Sequence, residues 1–308
     1  MKKEYLFAAG AVVCWSTVAP ITKILLNEMS AGLCLFLTTS IAALTLFVYN
    51  ILRGNLKKFA AYRPVDWLRL CVMGFFGFFV YNAAYYTGLT LLSAQDACVI
   101  NYLWPLMTVI FSCFILHERF TAAKLAAALL SFAGAAVVAT KGDFGNFAKI
   151  DLRGVLFCLL AALSYGLFSA FNKKYDYDQE PAMAVYFTVP AVISGIFLIF
   201  SGTPVHISGI QAAGILWMGV VVSAAGYLIW CLAINRGNTA KISNLAYITP
   251  FLSMVLSCIM LKEPFSLPAL LGLILIILGI AVQLRGERVP SRKHGSALSE
   301  NLSHRARH

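Results

Sequence analysis

The sequence predicts an all-α membrane protein of ten transmembrane helices, arranged as two inverted five-helix repeats with the N- and C-termini cytoplasmic. Three observations predict it. Of the 308 residues, 60% are hydrophobic and only 12% charged, about half the charge of an ordinary soluble domain. Ten apolar stretches are each long enough for a bilayer, which takes about 20 residues of helix. The first half of the chain also matches the second when slid by 145 positions.

So little charge cannot coat a water-soluble globule of this size. A soluble enzyme, a disordered protein and a disulfide scaffold are excluded on composition. The formal net charge of +11 would suggest nucleic acid in a soluble chain, but the placement of the charges gives it another meaning.

The ten predicted spans are 5–26, 30–52, 67–91, 94–116, 121–140, 152–172, 182–200, 210–234, 238–261 and 266–284. The runs are too long, and too free of alternation, for strands. Lys2-Lys3 before an apolar run mimics a secretory signal. The run of about 22 residues is too long for one and has no clear small-residue cleavage site, so it predicts an uncleaved first span.

With the N-terminus in the cytoplasm, the cytoplasmic side receives 19 of the 24 Lys and Arg, among them Lys2, Lys3, Arg53, Lys57, Lys58, Lys173, Lys174 and the six in the tail. The remainder are Lys23, Lys141, Lys149, Arg153 and Lys262. This satisfies the positive-inside rule. The basic excess reads as an orientation signal and a contact with anionic lipid, and no nucleic-acid partner is expected. All eight cysteines fall within spans, with no Cys/His cluster, so neither a metal nor another cofactor is expected. The sequon Asn301-Leu302-Ser303 falls in the predicted cytoplasmic tail and is discounted.

The internal match is specific. The shift of 145 places Tyr102 on Tyr247, Pro105 on Pro250, Cys113 on Cys258, Glu118 on Glu263 and Gly134 on Gly279. A shift of 150 places Trp15 on Tyr165 and Lys23 on Lys173. The predicted units are therefore residues 1–147 and 148–284, followed by a disordered cytoplasmic tail, 285–308. Each half carries five spans. Because five is odd, the second half enters the membrane from the opposite side, which makes an inverted-topology repeat.

Ten spans, the five-plus-five repeat and the string Leu-x-Glu-x-Phe-Thr/Ser after the fourth and ninth spans (116–121 and 261–266) resemble the drug/metabolite transporter superfamily, EamA type, over about residues 5–284. Within that range, Asn101-Tyr102-Leu103-Trp104-Pro105 resembles the fourth span of exporters of aromatic amino acids and methyl viologen. The resemblance implies a secondary transporter of the inner or plasma membrane. It would export small organic solutes by alternating access: amino acids, aromatic ones first, or aromatic cations.

The residues themselves point to polar groups facing a cavity, because such groups are costly inside a bilayer and tend to be functional. Asn101, Pro105, Thr108 and Ser112 share one helical face, flanked by Tyr102 and Trp104. The ninth span echoes this with Asn244, Tyr247, Thr249 and Pro250. Proline-interrupted helices at matched repeat positions point to a binding site. The alternative is an inter-helix polar contact with a tolerated proline.

In the third span, Asn82, Tyr85 and Tyr86 share a face beside Tyr81 and could hold an amphipathic solute, or form an interfacial aromatic belt. Trp15, Ser16, Thr17 and Pro20 form a polar, kinked patch in the first span. It is matched by Ser164, Tyr165 and Ser169 in the sixth, with Tyr227 and Trp230 in the eighth. Singly, each of these aromatics is as compatible with packing as with ligand contact.

Asp96 opens the fourth span on the outer side. It could couple a proton or cation, or simply favour a helix start. Lys23 reads as a residue snorkelling to the headgroups. Glu118 and Glu263 read as turn residues ahead of the helix caps Thr121 and Ser266. No Walker A string or acid/base set is present, so ATP hydrolysis and catalysis have no motif behind them. A membrane-embedded enzyme acting on lipid-like substrates and a facilitator of other metabolites remain the alternatives.

Overall fold

The computed structural model describes residues 3–143, 151–201, 207–236 and 245–288. Asn244, the junction of the two predicted halves at 147/148 and the tail beyond 288 lie outside the described residues. Among the described residues the secondary structure is entirely helical.

In chain order the long helices are α1 Lys3–Leu26, α2 Ala31–Leu52, α3 Pro64–Leu91, α4 Ala94–Ile115, α5 Ala122–Ala139, α6 Leu152–Tyr175, α7 Gln179–Ser201 and α8 Gly209–Ala233. These eight are long and apolar enough to cross a membrane; α9 Ala246–Leu261 and α10, apolar over Leu267–Val282, are shorter. The predicted ninth span, 238–261, is described only from residue 245 onward. Large apolar side chains such as Leu44, Phe197, Ile199, Phe200 and Ile259 face outward. That is the surface of a multi-pass membrane protein, whose outside meets lipid rather than water.

Several helices are interrupted where the sequence dictates. Proline has no N–H to offer the carbonyl four residues earlier. Pro105 leaves the Asn101 carbonyl without that bond, and α4 breaks at Tyr102–Leu103 before resuming at Trp104. Pro250 does the same to the Ala246 carbonyl, where α9 opens with a short 3-10 turn over Ala246–Ile248. Pro20 accompanies a break at Thr17 in α1, where the Thr17 hydroxyl donates to the Cys14 carbonyl at 2.6 Å. Two π-helical stretches widen α3 at Phe75–Val80 and α8 at Trp217–Ala225. Such bulges often mark functional segments.

Helix packing falls into reciprocal sets. α5 lies along α10, and α2 lies along α7. α1 packs on α8 and on α9, while α6 packs on α3 and on α4. The α5–α10 contact shows why small residues are needed: a Cβ on Gly134 would stand 2.5 Å from the Gly272 carbonyl oxygen. Close backbone approach through small residues is how apolar helices associate in lipid. This pair stands to one side and leaves the remaining helices to enclose a cavity.

Candidate functional site

The cavity has a volume of about 1070 Å³. Its deep part is aromatic, and its mouth is polar. Trp15 from α1 contacts Tyr227 and Trp230 from α8, with ring centroids 5.3 and 5.1 Å apart. On the opposite wall, Tyr165 from α6 meets Tyr81 of α3 at 4.9 Å and Trp104 of α4 at 5.2 Å. The Tyr165 and Tyr227 hydroxyls stand 3.4 Å apart and bridge the two walls.

The broken helices supply the polar groups. Asn101 is the last helical residue before the α4 break, and its Nδ2 donates to the Tyr81 hydroxyl at 3.2 Å. The Tyr102 hydroxyl donates to the Ala246 carbonyl, which Pro250 deprives of its α-helical bond and which also accepts from the Thr249 N–H. A tyrosine at the proline break of α4 thus bonds the proline break of α9. Asn82 turns its Nδ2 back onto the Phe78 carbonyl, at 2.7 Å, inside the π stretch of α3.

Three side-chain atoms of the lining are buried with no hydrogen-bond partner: Trp15 Nε1, Asn101 Oδ1 and Thr249 Oγ1. Leaving a buried polar group unsatisfied costs about 1–3 kcal/mol. These atoms are covered in this conformation, so a side-chain rotation is what would present them to a solute. Among the described residues, every charged residue of the lining lies near the mouth: Arg53, Lys58, Asp176, Asp178 and Glu180.

The mouth is tied across the α2–α3 and α6–α7 connections. Glu180 accepts from Asn55 Nδ2 at 2.7 Å and from the Tyr49 hydroxyl at 3.1 Å. Lys58 meets Asp178 at 2.6 Å, and this raises the Lys58 pKa above its ordinary value. Tyr177 donates to Asp66 at 3.0 Å. At this same end Glu118 accepts from Lys173 at 2.9 Å and from Lys124 at 3.0 Å, and those two ammonium groups hold its carboxyl below the usual range.

Of the residues singled out from sequence, Trp15, Asn82, Tyr86, Asn101, Tyr102, Trp104, Tyr165 and Trp230 line the cavity. Ser16, Tyr85, Pro105, Tyr247 and Pro250 stand outside the lining. Ser16 bonds back to the Val13 carbonyl, Tyr85 is packed in the core against Tyr81, and the two prolines act by breaking helices. Asp96 is at the far end from the mouth, in a separate pocket of about 240 Å³ with Ser93, Lys141 and Asp151. Its backbone N–H bonds the Ser93 cap, and its Oδ1 is unpartnered.

Lys23 does not snorkel. Its ammonium is bound by the Leu89 and Leu92 carbonyls of α3. Sequence reading missed the apolar wall of Phe78, Phe168, Met183 and Phe187, and the part α2 and α7 play at the mouth. Phenylalanines that line a cavity look the same in a sequence as phenylalanines that fill a core.

Apolar helices wrapped around a polar-mouthed aromatic cavity define a membrane transporter for small solutes. The EamA-like transporter family model matches residues 2–140 and 152–285, and the chain belongs to that family. The uncharacterized transporter YvbV of Bacillus subtilis is 27% identical over 283 residues, covering 90% of each chain. The aromatic amino acid exporter YddG of Ancylobacter novellus is 28% identical, covering 80% of this chain and 84% of its own. The probable amino-acid metabolite efflux pump of Escherichia coli is 25% identical, over 65% of this chain and 76% of its own. A solved structure described as "Crystal structure of protein" superposes with a TM-score of 0.69 at 25% identity, covering 95% of this chain and 99% of that one.

Proposed function

We propose that the protein is a secondary transporter that exports amino acids, aromatic ones first, or aromatic cations, by alternating access between two inverted five-helix halves. The observation that carries the substrate class is the cavity: a deep aromatic chamber that, among the described residues, has no charged side chain, and whose unpaired polar atoms include both a donor and an acceptor. Trp and Tyr faces suit flat or amphipathic solutes. A phosphorylated solute would need a basic cluster, and the deep lining offers none. The exporter and efflux-pump relatives support the same class. The rings around Trp15 and Tyr227 also favour an aromatic cation, through cation–π attraction.

The alternating-access reading is supported by the match of one family model to each half. It is supported too by packing that maps onto itself when the halves are exchanged: α1 on α8 becomes α6 on α3, and α1 on α9 becomes α6 on α4. The π stretches of α3 and α8 and the proline breaks of α4 and α9 are matched in the same way. In this reading α9 and α10 complete ten spans, both termini are cytoplasmic, and the mouth beside Arg53 and Lys58 faces inward, as the positive-inside rule requires.

Counterflow in proteoliposomes tests the function. Vesicles loaded with unlabelled tryptophan are expected to accumulate labelled tryptophan saturably, with phenylalanine and tyrosine competing and sugar phosphates inert. Accumulation driven equally by sugar phosphates, or by no amino acid or aromatic cation, would overturn the reading. Repeating the assay with an imposed pH gradient and Asp96→Asn decides whether Asp96 couples a proton.

A further inference from the structure

The end of the cavity opposite its mouth is shut by a set of contacts that joins two turns of the chain and the end of α1. Glu263, in the α9–α10 turn, accepts from the backbone N–H of Ala94 at 2.9 Å and from the Nε2 of Gln95 at 3.3 Å, at the start of α4. Gln95 Nε2 also donates to the Pro264 carbonyl at 2.9 Å, and Gln95 Oε1 accepts from Ser266 N–H at 3.0 Å. Gln95 is 1% exposed. From the other side Lys23 of α1 holds the carbonyls that end α3.

A carboxylate suits a helix N-terminus and an ammonium suits a helix C-terminus, because each meets unpaired backbone groups of opposite partial charge. Glu263 and Lys23 thus grip the two sides of one α3–α4 connection. The cavity lining includes no residue of 89–97 or 261–266.

The sequence repeat places the same two residue types at the other end. The shift of 145 takes Glu118 to Glu263, and the shift of 150 takes Lys23 to Lys173. There the two are bound to each other, at 2.9 Å, with Lys124 on the second carboxylate oxygen. The charged mouth of the cavity lies at that end. One pair holds helix ends at the closed end of the cavity; its repeat-mate forms an ion pair at the mouth.

We propose that Lys23, Gln95 and Glu263 form the outer gate of this transporter. Opening the outer side requires Glu263 and Lys23 to release the α3–α4 turn. The proposal rests on the alternating-access reading given above.

The test is accessibility of one cavity cysteine, Ser223→Cys, in a variant whose native cysteines are replaced, using a membrane-impermeant maleimide on right-side-out and inside-out vesicles. Without gate substitutions the reagent is expected to react mainly from the cytoplasmic side. Glu263→Gln, Lys23→Met and, with the charges left in place, Gln95→Ala should each raise labelling from the outside by roughly tenfold, the effect of losing about one charge-assisted hydrogen bond. Elution as a single folded species shows which variants are interpretable, and Gln95→Ala keeps the test open if a charge substitution misfolds.

Unchanged outside labelling in folded Glu263→Gln, Lys23→Met and Gln95→Ala, with one-sided labelling of the parent, overturns the gate and leaves alternating access standing. Equal labelling of the parent from both sides overturns alternating access itself.

Discussion

Replacing Asn101 with leucine separates a binding role from a structural one, because the two roles predict opposite signs. Leucine branches at Cγ as asparagine does and carries no polar atom. In the ligand-free protein the substitution removes one hydrogen bond, from Nδ2 to the Tyr81 hydroxyl at 3.2 Å. Such a neutral bond is worth about 1 kcal/mol net. It also removes Oδ1, a buried acceptor with no partner, which costs the native fold about 1–3 kcal/mol. The balance falls between neutral and about 2 kcal/mol of stabilisation.

Substrate binding should move the other way. If Oδ1 accepts a hydrogen bond from a substrate ammonium, its loss removes a charge-assisted bond of about 1.5–3 kcal/mol, or roughly 10- to 150-fold in affinity. The assay is a thermal melt of detergent-solubilised protein with and without tryptophan, alongside a binding isotherm. The expected result is an unliganded melting temperature at or above that of the parent, with the tryptophan-induced rise lost. A variant that melts well below the parent, or that binds tryptophan as the parent does, refutes the reasoning.

Further outcomes follow from the same contacts. Gly134→Ala should destabilise by roughly 1–3 kcal/mol, since the new methyl would lie 2.5 Å from the Gly272 carbonyl; α5 and α10 are absent from the cavity lining, so the KM of transport should be unchanged. Glu180→Ala should loosen the mouth by removing the acceptors of Tyr49 and Asn55, which limited proteolysis at the α2–α3 connection would register as faster cleavage. Glu118 is held below its ordinary pKa first by Lys173 and then by Lys124. Its contribution to stability is therefore present above the unfolded value, about 4.3, and is lost as pH falls through the lower folded value. Glu118→Gln should flatten the acid side of a melting-temperature profile, and an unchanged slope there would count against the pairing.

Helix positions were legible because a bilayer imposes one rule, about 20 apolar residues per crossing, and the chain obeys it from α1 to α8. The proline breaks were legible too: Pro105 and Pro250 stand where a helix cannot keep its hydrogen bonds. The cavity was legible through its polar and aromatic residues, Trp15, Asn101, Tyr102, Trp104, Tyr165 and Trp230, because such residues stand out against leucine and alanine.

What stayed hidden was which neighbour each residue meets. Tyr85 and Tyr86 are adjacent in sequence, yet Tyr86 lines the cavity and Tyr85 packs in the core; a 100° turn of helix decides it. Lys23 sits near a predicted membrane surface, but the carbonyls it binds belong to residues 66 and 69 positions later. Glu263 does precede a helix start, as its position suggests. Its partners, Ala94 and Gln95, are 169 and 168 positions away. Contacts of that separation exist only once the two halves have packed.

The most direct test of the account is the side of the membrane reached by each half. In a variant lacking native cysteines, Lys3→Cys and Asp143→Cys would be labelled in intact cells with an impermeant maleimide, before and after permeabilisation. Five crossings between them predict that Asp143→Cys reacts in intact cells and Lys3→Cys only after permeabilisation. Both positions reacting from one side would mean an even number of crossings, and two halves of like orientation could not exchange inward-open and outward-open forms in the way proposed.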